Sequence, residues 1–157
     1  MEILTLKTDE MRGKKPFLEP IENVYIAGGA VRKWFTGQEK DSDLDVFAVN
    51  DTALEEFKIK YLKEYEVASS NKMTTTFKKD DKIVQLISGR FYANVNDLFD
   101  SFDFSLCHFA WTTQGIFGTK EGVISTLRNH LAVHKLNKDF AVDSLRRAFK
   151  YHKKGFE

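Results

Sequence analysis

The sequence predicts an α/β fold of the α+β kind: a mixed β-sheet with flanking helices and a C-terminal helical segment. Three observations carry that expectation. Segments with strand character come first along the chain and helical ones dominate its end, an order that suits a sheet with helices packed against it. A chain of 157 residues defaults to one domain and buries a proper core without staples. There is no internal repeat and no low-complexity segment.

The elements follow in order. Both prolines, Pro16 and Pro20, lie in the entry segment. Residues 23–27 (NVYIA) read as a strand, broken by Gly28 and Gly29 before a short helix from Ala30 to Phe35. Leu44–Val49 is a second strand. Asp51 is the expected N-cap of a helix running to about Lys63, with Glu55 and Glu56 near its positive end. Tyr65–Ser69, Met73–Lys78 and Lys82–Ser88 read as strands, with KKDDK as the polar hairpin tip between the last two. Asn94–Ser101 reads as helix. The apolar run Phe104–Thr112 fits a strand or a buried helix, and periodicity does not choose between them. Glu121–His130 and Asp139–Lys154 read as helices. The expected organisation is a domain over 1–137 and a basic helix over 138–157 packed on it.

Composition is that of an ordinary globular protein, with 42% hydrophobic and 30% charged residues. The 14 Phe imply a dense core. Cys107 is the only cysteine, which excludes an internal disulfide and favours a reducing compartment. Residues 1–25 lack a signal-peptide run and no stretch approaches a membrane span. The expected location is the cytoplasm. A net charge of +1 says nothing about partners.

Asp41, Asp43 and Asp45 alternate. On a strand, Asp43 and Asp45 share a face about 7 Å apart, while Leu44 and Val46 point into the core and fix the register. Two such carboxylates repel unless a cation lies between them, and Mg²⁺ commonly uses one or two carboxylates plus substrate phosphates. Rival readings fare worse. An EF-hand loop needs glycine where Val46 stands and glutamate where Thr52 stands. A P-loop needs Gly-Lys-Ser/Thr, which is absent. A solvated acidic turn remains the better reading for Asp41. Gly28 and Gly29 let the backbone approach a ligand closely, the helix after them offers free N–H groups to an anion, and Arg32 and Lys33 add positive charge. Alone, a glycine pair before a helix is a weak signal.

Together, GGAVRKWFTG and DLDVF resemble the head of polymerase-β-type nucleotidyltransferases, and Gly-Gly-x-Val-Arg resembles the branch of CCA-adding enzymes and bacterial poly(A) polymerases. SFDFSLCHFAW is similar to that branch's Arg-Arg-Asp-Phe-Thr-Ile-Asn-Ala motif, and VDSLRRAF to its Glu-Asp-x-x-Arg motif. The resemblance implies a palm-like nucleotidyltransferase fold. It implies that Asp43 and Asp45 hold Mg²⁺ and are catalytic, and that Gly28 and Gly29 contact phosphates with Arg32 as helper. It further implies that Asp103 lies near the ribose and that Asp143 and Arg146 read the base edge. A helix cap at Asp103 and a surface ion pair at Asp143 and Arg146 are the competing structural readings.

The departures are specific. Lys33 replaces the family's Asp after Val-Arg, Ser101-Phe102 its Arg-Arg, Cys107 its Asn and Val142 its Glu. Gln85 stands where many members carry a third carboxylate, and an amide cannot take a proton from a hydroxyl. The chain also ends early in what the family would call the neck.

From Arg146 to Lys154, five of nine residues are Lys or Arg, with Phe149 and Tyr151 between them. This reads equally as an RNA-backbone contact and as a solvated face near a helix C-terminus. His108, His130, His134 and His152 show no metal spacing, Cys107 reads as core, and Trp34 and Phe35 as pins of the phosphate helix to the sheet. Two functions result. One is Mg²⁺-dependent transfer of a nucleoside monophosphate from an NTP to a hydroxyl, with an RNA or tRNA end, a small molecule or a protein as acceptor. The other is a nucleotidyltransferase-fold module that binds nucleotide, RNA or a protein without turnover.

Overall fold

The computed structural model describes residues 1–38, 43–136 and 141–157. Asp41, the 137/138 boundary and the expected helix start at Asp139 lie outside the described residues. The described elements are β1 (Ile3–Leu6), β2 (Val24–Ala27), α1 (Gly29–Thr36), β3 (Leu44–Ala48), α2 (Asp51–Tyr61), β4 (Glu66–Ser70), β5 (Thr74–Lys79) and β6 (Lys82–Ile87). They continue with α3 (Val95–Asp100), β7 (Phe109–Thr112), β8 (Gly115–Thr119), α4 (Lys120–Leu127) and α5 (Ala141–Lys153). This is a mixed α/β architecture.

The strands form one eight-stranded sheet in the order β1-β8-β7-β2-β3-β6-β5-β4. Every neighbouring pair is antiparallel except β3 and β6. Side chains alternate between the two faces. On one face Ile26, Leu44, Val46, Val84 and Leu86 pack with Val31 and Trp34 of α1 and Leu54 and Phe57 of α2. Leu44 and Val46 thus fix the register of β3, as their alternation with the acids predicts. On the other face Tyr25, Ala27, Phe47 and Ala110 pack with Leu98 and Phe99 of α3. A third cluster joins Phe104, Leu106 and Cys107 to Tyr151 and Phe156.

Trp34 meets Trp111 at 5.0 Å and Phe35 meets Phe109 at 5.6 Å between ring centroids. Such pairs contribute about 0.5–1.5 kcal/mol each beyond area burial, and they pin α1 to the sheet.

The structure corrects several details. Asn50, not Asp51, caps α2: its side chain accepts from the Ala53 N–H at 2.9 Å. Asn50→Ala is expected to cost about 1 kcal/mol, read as a lower urea midpoint at unchanged slope. The run 104–112 is neither one strand nor one helix. A 3₁₀ turn at Ser105–Cys107 leads into β7. Strands β1 and β8 have no counterpart in the sequence reading and pair with each other. Among the described residues, no helix is long and apolar enough to cross a membrane.

Candidate active site

Three facing positions set the floor of the site. Ala27, Asp45 and Gln85 lie opposite one another on β2, β3 and β6, so their side chains share the face that carries α3. Beyond α3 this face opens into a cleft of about 670 Å³, lined among others by Gly28, Gly29, Asp45, Gln85, Asp103 and Arg147.

Gly28 turns the chain from β2 into α1 with φ 85° and ψ −141°, a conformation that side chains other than glycine rarely adopt. Its N–H donates to the Phe109 carbonyl at 2.9 Å and its carbonyl accepts from the Arg32 N–H at 3.0 Å. A Cβ added to Gly28 would lie 3.7 Å from Asp45 Oδ2. The glycine backbone and the carboxylate are therefore neighbours, at the end of a helix whose first N–H groups have no intrahelical acceptor. Gly28→Ala is expected to cost on the order of 1–3 kcal/mol in backbone strain, seen as a lower melting temperature.

Asp45 is partly buried, and its carboxyl is pushed up to about 7, by burial first and by the Asp43 charge second, with Arg147 and Lys150 pulling the other way. Asp43 is exposed, one residue before β3. The two acids are thus electrically coupled, although Asp43 lies just outside the strand. A carboxylate pair that repels at the edge of an anion-friendly helix end is a donor set that suits Mg²⁺ with substrate phosphates. Among the described residues no group of three or more His, Cys, Asp or Glu gathers as a metal site. Gln85 lies directly opposite Asp45.

Asp103 caps no helix. Its Oδ2 accepts from Ser144 Oγ at 3.1 Å, and its Oδ1 lies 3.2 Å from Arg147 Nη1. Arg147 Nη2 donates to Tyr151 Oη at 3.2 Å and to Cys107 Sγ at 3.3 Å, while Cys107 and Tyr151 share a hydrogen bond of 3.2 Å. Burial pushes the Tyr151 phenol up to about 12 and raises the Cys107 thiol. Both groups stay protonated at neutral pH, so Cys107 is packed and polar rather than nucleophilic.

Two of the residues expected to contact nucleotide, Arg146 and Arg32, do not line the cleft. Asp143 lines the cleft, but Arg146 does not; Arg147 takes that place. The reason is the helical register. Ser144 and Tyr151 turn inward, and at about 100° per residue Arg146 falls nearly opposite Ser144, while Arg147 stays beside it. Arg32 also departs from expectation. It is 1% exposed, does not line the cleft, and its guanidinium lies 5.7 Å from the Tyr151 ring and 5.2 Å from the Phe156 ring. Its Nε and Nη1 have no hydrogen-bond partner among the described residues.

Arg147 and Lys150 line the cleft and had no place in the expected site. Counting i+4 and i+7 from Asp143 was the signal that would have found them. Lys154 is held down to about 8 by partial burial and by the charges of Lys150, Lys33 and Arg32, with Asp43 opposing. The histidines form no metal set among the described residues. His108 is buried, shares a 3.0 Å hydrogen bond with Thr119 through Nδ1, and is pushed down to about 4 mainly by burial.

With this geometry in place, the resemblance to other proteins is specific in fold. A family model described as Gabija anti-defense 2 family protein matches residues 3–130. No curated protein matches the sequence. The structure of a CCA-adding enzyme with CTP superposes at a TM-score of 0.60 and 20% identity over 85% of this chain and 34% of that one. The Thermotoga maritima CCA-adding enzyme complexed with tRNA gives 0.57 and 22%, over 82% of this chain and 32% of that one. The Bacillus stearothermophilus CCA-adding enzyme with CTP gives 0.56 and 20%, over 79% and 32%. The chain spans about a third of the length of these structures, and at such identities the likeness is one of fold.

Proposed function

The chain belongs to the Gabija anti-defense 2 family, and we propose that it acts there as a nucleotidyltransferase, moving a nucleoside monophosphate from an NTP to a hydroxyl acceptor. The observation that carries this reading is the Asp45 carboxylate packed against the Gly28 turn at the start of α1, on the floor of a cleft large enough for a nucleotide. Solved CCA-adding enzymes of the same fold hold CTP, ATP or tRNA, which supports a nucleotide substrate and keeps an RNA end among the acceptors. On this reading the family's anti-defense role is exercised by covalent modification of that acceptor.

Asp43 and Asp45 would hold Mg²⁺. The ion, when bound, neutralises charge on the phosphates and lowers the proton affinity of the attacking hydroxyl. The Gly28–Gly29 turn and the first N–H groups of α1 orient the phosphates. The acceptor oxygen forms a bond to the α-phosphorus as the bond from that phosphorus to the pyrophosphate oxygen breaks, and the electron pair leaves with pyrophosphate. The hydroxyl proton passes to solvent, because the Gln85 amide beside Asp45 cannot accept it. Asp143 and Arg147, on the opposite wall, position the nucleoside.

A second reading rests on Gln85. With an amide opposite Asp45, the site can bind nucleotide and turn nothing over. Pyrophosphate release from each of the four NTPs with Mg²⁺, with and without total tRNA, separates the two. Release that disappears in Asp43→Ala, at unchanged melting temperature, supports transfer. Nucleotide binding without release from any NTP, after protein and small-molecule acceptors have also been tried, supports the binding module.

A further inference from the structure

The basic end of the chain is not a uniformly charged helix. At about 100° per residue, Asp143, Arg147, Lys150 and Lys154 fall on one flank about 60° wide. The other flank carries the exposed Val142, Leu145 and Phe149, with Arg146 and Lys153 among them. On the polar flank Asp143, Arg147 and Lys150 border the cleft, while Lys154, one residue past α5, is exposed and does not line it. Lys150 lines the same cleft as Gly28, Gly29 and Asp45. Arg32, Arg147 and Lys154 surround one buried phenol ring, with cationic centres 5.7, 5.9 and 5.9 Å from the Tyr151 centroid.

Among the described residues Arg147 has a carboxylate partner, Asp103. Among the described residues no ion pair joins Lys150 or Lys154 to an acid. Arg32 is buried with two nitrogens unpartnered, a cost that charge or hydrogen bonding normally offsets. A set of cations gathered beside a helix N-terminus, with Asp43 and Asp45 as acidic neighbours of Lys154 and Lys150, is complementary to a compact polyanion. An RNA backbone lying along the outer flank would instead meet Val142, Leu145 and Phe149.

We propose that Lys150 and Lys154 of the C-terminal segment, backed by Arg32, form a polyphosphate clamp that grips the β- and γ-phosphates of the nucleotide and then the departing pyrophosphate. The clamp deepens the transferase reading and rests on it for its substrate. It assigns α5 a substrate-positioning role inside the cleft in place of an outward RNA contact.

The test is calorimetric titration of the full chain with inorganic tripolyphosphate in EDTA, so that binding does not depend on a metal at Asp43 and Asp45. Lys150→Ala/Lys154→Ala is expected to weaken binding at least about tenfold. Arg146→Ala/Lys153→Ala removes the same charge from outside that flank and is expected to change it less than about twofold. Should the first pair unfold, Lys154→Gln alone at its exposed position serves, with a loss of about threefold or more expected. The proposal is overturned if wild type fails to bind, if both pairs weaken binding equally, or if Lys150 and Lys154 matter only for a 5′-hydroxyl RNA oligonucleotide. Tripolyphosphate binding without nucleotidyl transfer would keep the clamp and remove the transferase; transfer without such binding would do the reverse.

Discussion

Asp45→Asn is expected to lower nucleotidyl transfer by on the order of 10³-fold or more, since loss of a metal-holding carboxylate forfeits several kcal/mol of charge stabilisation. The same change is expected to stabilise the fold above neutral pH. Asp45 titrates near 7 in the folded protein against 3.8 as the ordinary value, chiefly through burial and then the Asp43 charge. The folded state therefore binds more protons than the unfolded one between about pH 4 and 7. This contribution to stability is complete below the lower value and is lost as pH rises through the upper one. At about 1.4 kcal/mol per unit the loss is at most about 4 kcal/mol. Asparagine carries no charge, so the variant lacks the Asp45 share of this loss. Buried His108, held down to about 4, adds stability as pH rises through the lower part of the window in both proteins. The readout is therefore the difference between the two melting temperatures, which should grow in the variant's favour as pH rises towards 7. Mg²⁺ should raise the wild-type melting temperature more at pH 8 than at pH 5 and leave Asp45→Asn unmoved. Thermal melts at the two pH values, with and without Mg²⁺, check both statements. A variant that declined as steeply as wild type would place the pH dependence on another group.

Arg147→Ala carries the second large effect. Asp103 has an 11% exposed side chain and loses its cationic partner, while Tyr151 Oη and Cys107 Sγ lose a donor. Because the Arg147 side chain is 43% exposed, the cost falls between that of a surface pair and a buried one, about 2 kcal/mol. That corresponds to roughly 4–8 °C in melting temperature for a domain of this size. Nucleotide affinity should fall about tenfold, the worth of one charge-assisted contact. Arg146→Ala, one residue earlier on the exposed flank, should stay within about 0.5 kcal/mol. Parallel urea denaturation and nucleotide titration of the two variants decide the register. Equal effects, or a larger one at Arg146, would return the base-edge contact to the position that the motif resemblance suggests.

The difference between neighbours Arg146 and Arg147 shows where sequence reasoning reaches its limit. The strand-glycine-helix-strand unit was legible because every step has a local cause. Val24–Ala27 is apolar, Gly28 is needed for a positive φ, and Leu44 and Val46 fix the side of β3 on which Asp45 emerges. The β3–β6 pairing, which puts Gln85 opposite Asp45, joins two strands that the sequence marked. What escaped depends on tertiary contact. Strand β1 is four residues long and pairs only with β8, itself a segment with glycine at Gly115 and Gly118 that reads weakly as strand. The burial of Arg32 follows from Tyr151 and Phe156 closing over α1, over a hundred residues later, which no local pattern encodes. The register of α5 was within reach: Ser144, Ala148 and Tyr151 repeat at helical spacing and mark the inward face, but the basic residues were counted as a run rather than placed around the helix.

The most direct test of nucleotidyl transfer is to follow the two ends of one labelled nucleotide. With NTP labelled at the α-phosphorus, wild type and Mg²⁺, the account predicts label on the acceptor. With label at the γ-phosphorus it predicts release as pyrophosphate, with both signals lost in Asp45→Asn. γ-Label appearing as inorganic phosphate while α-label stays in the nucleoside diphosphate would mean hydrolysis at the wrong phosphorus and would contradict the account.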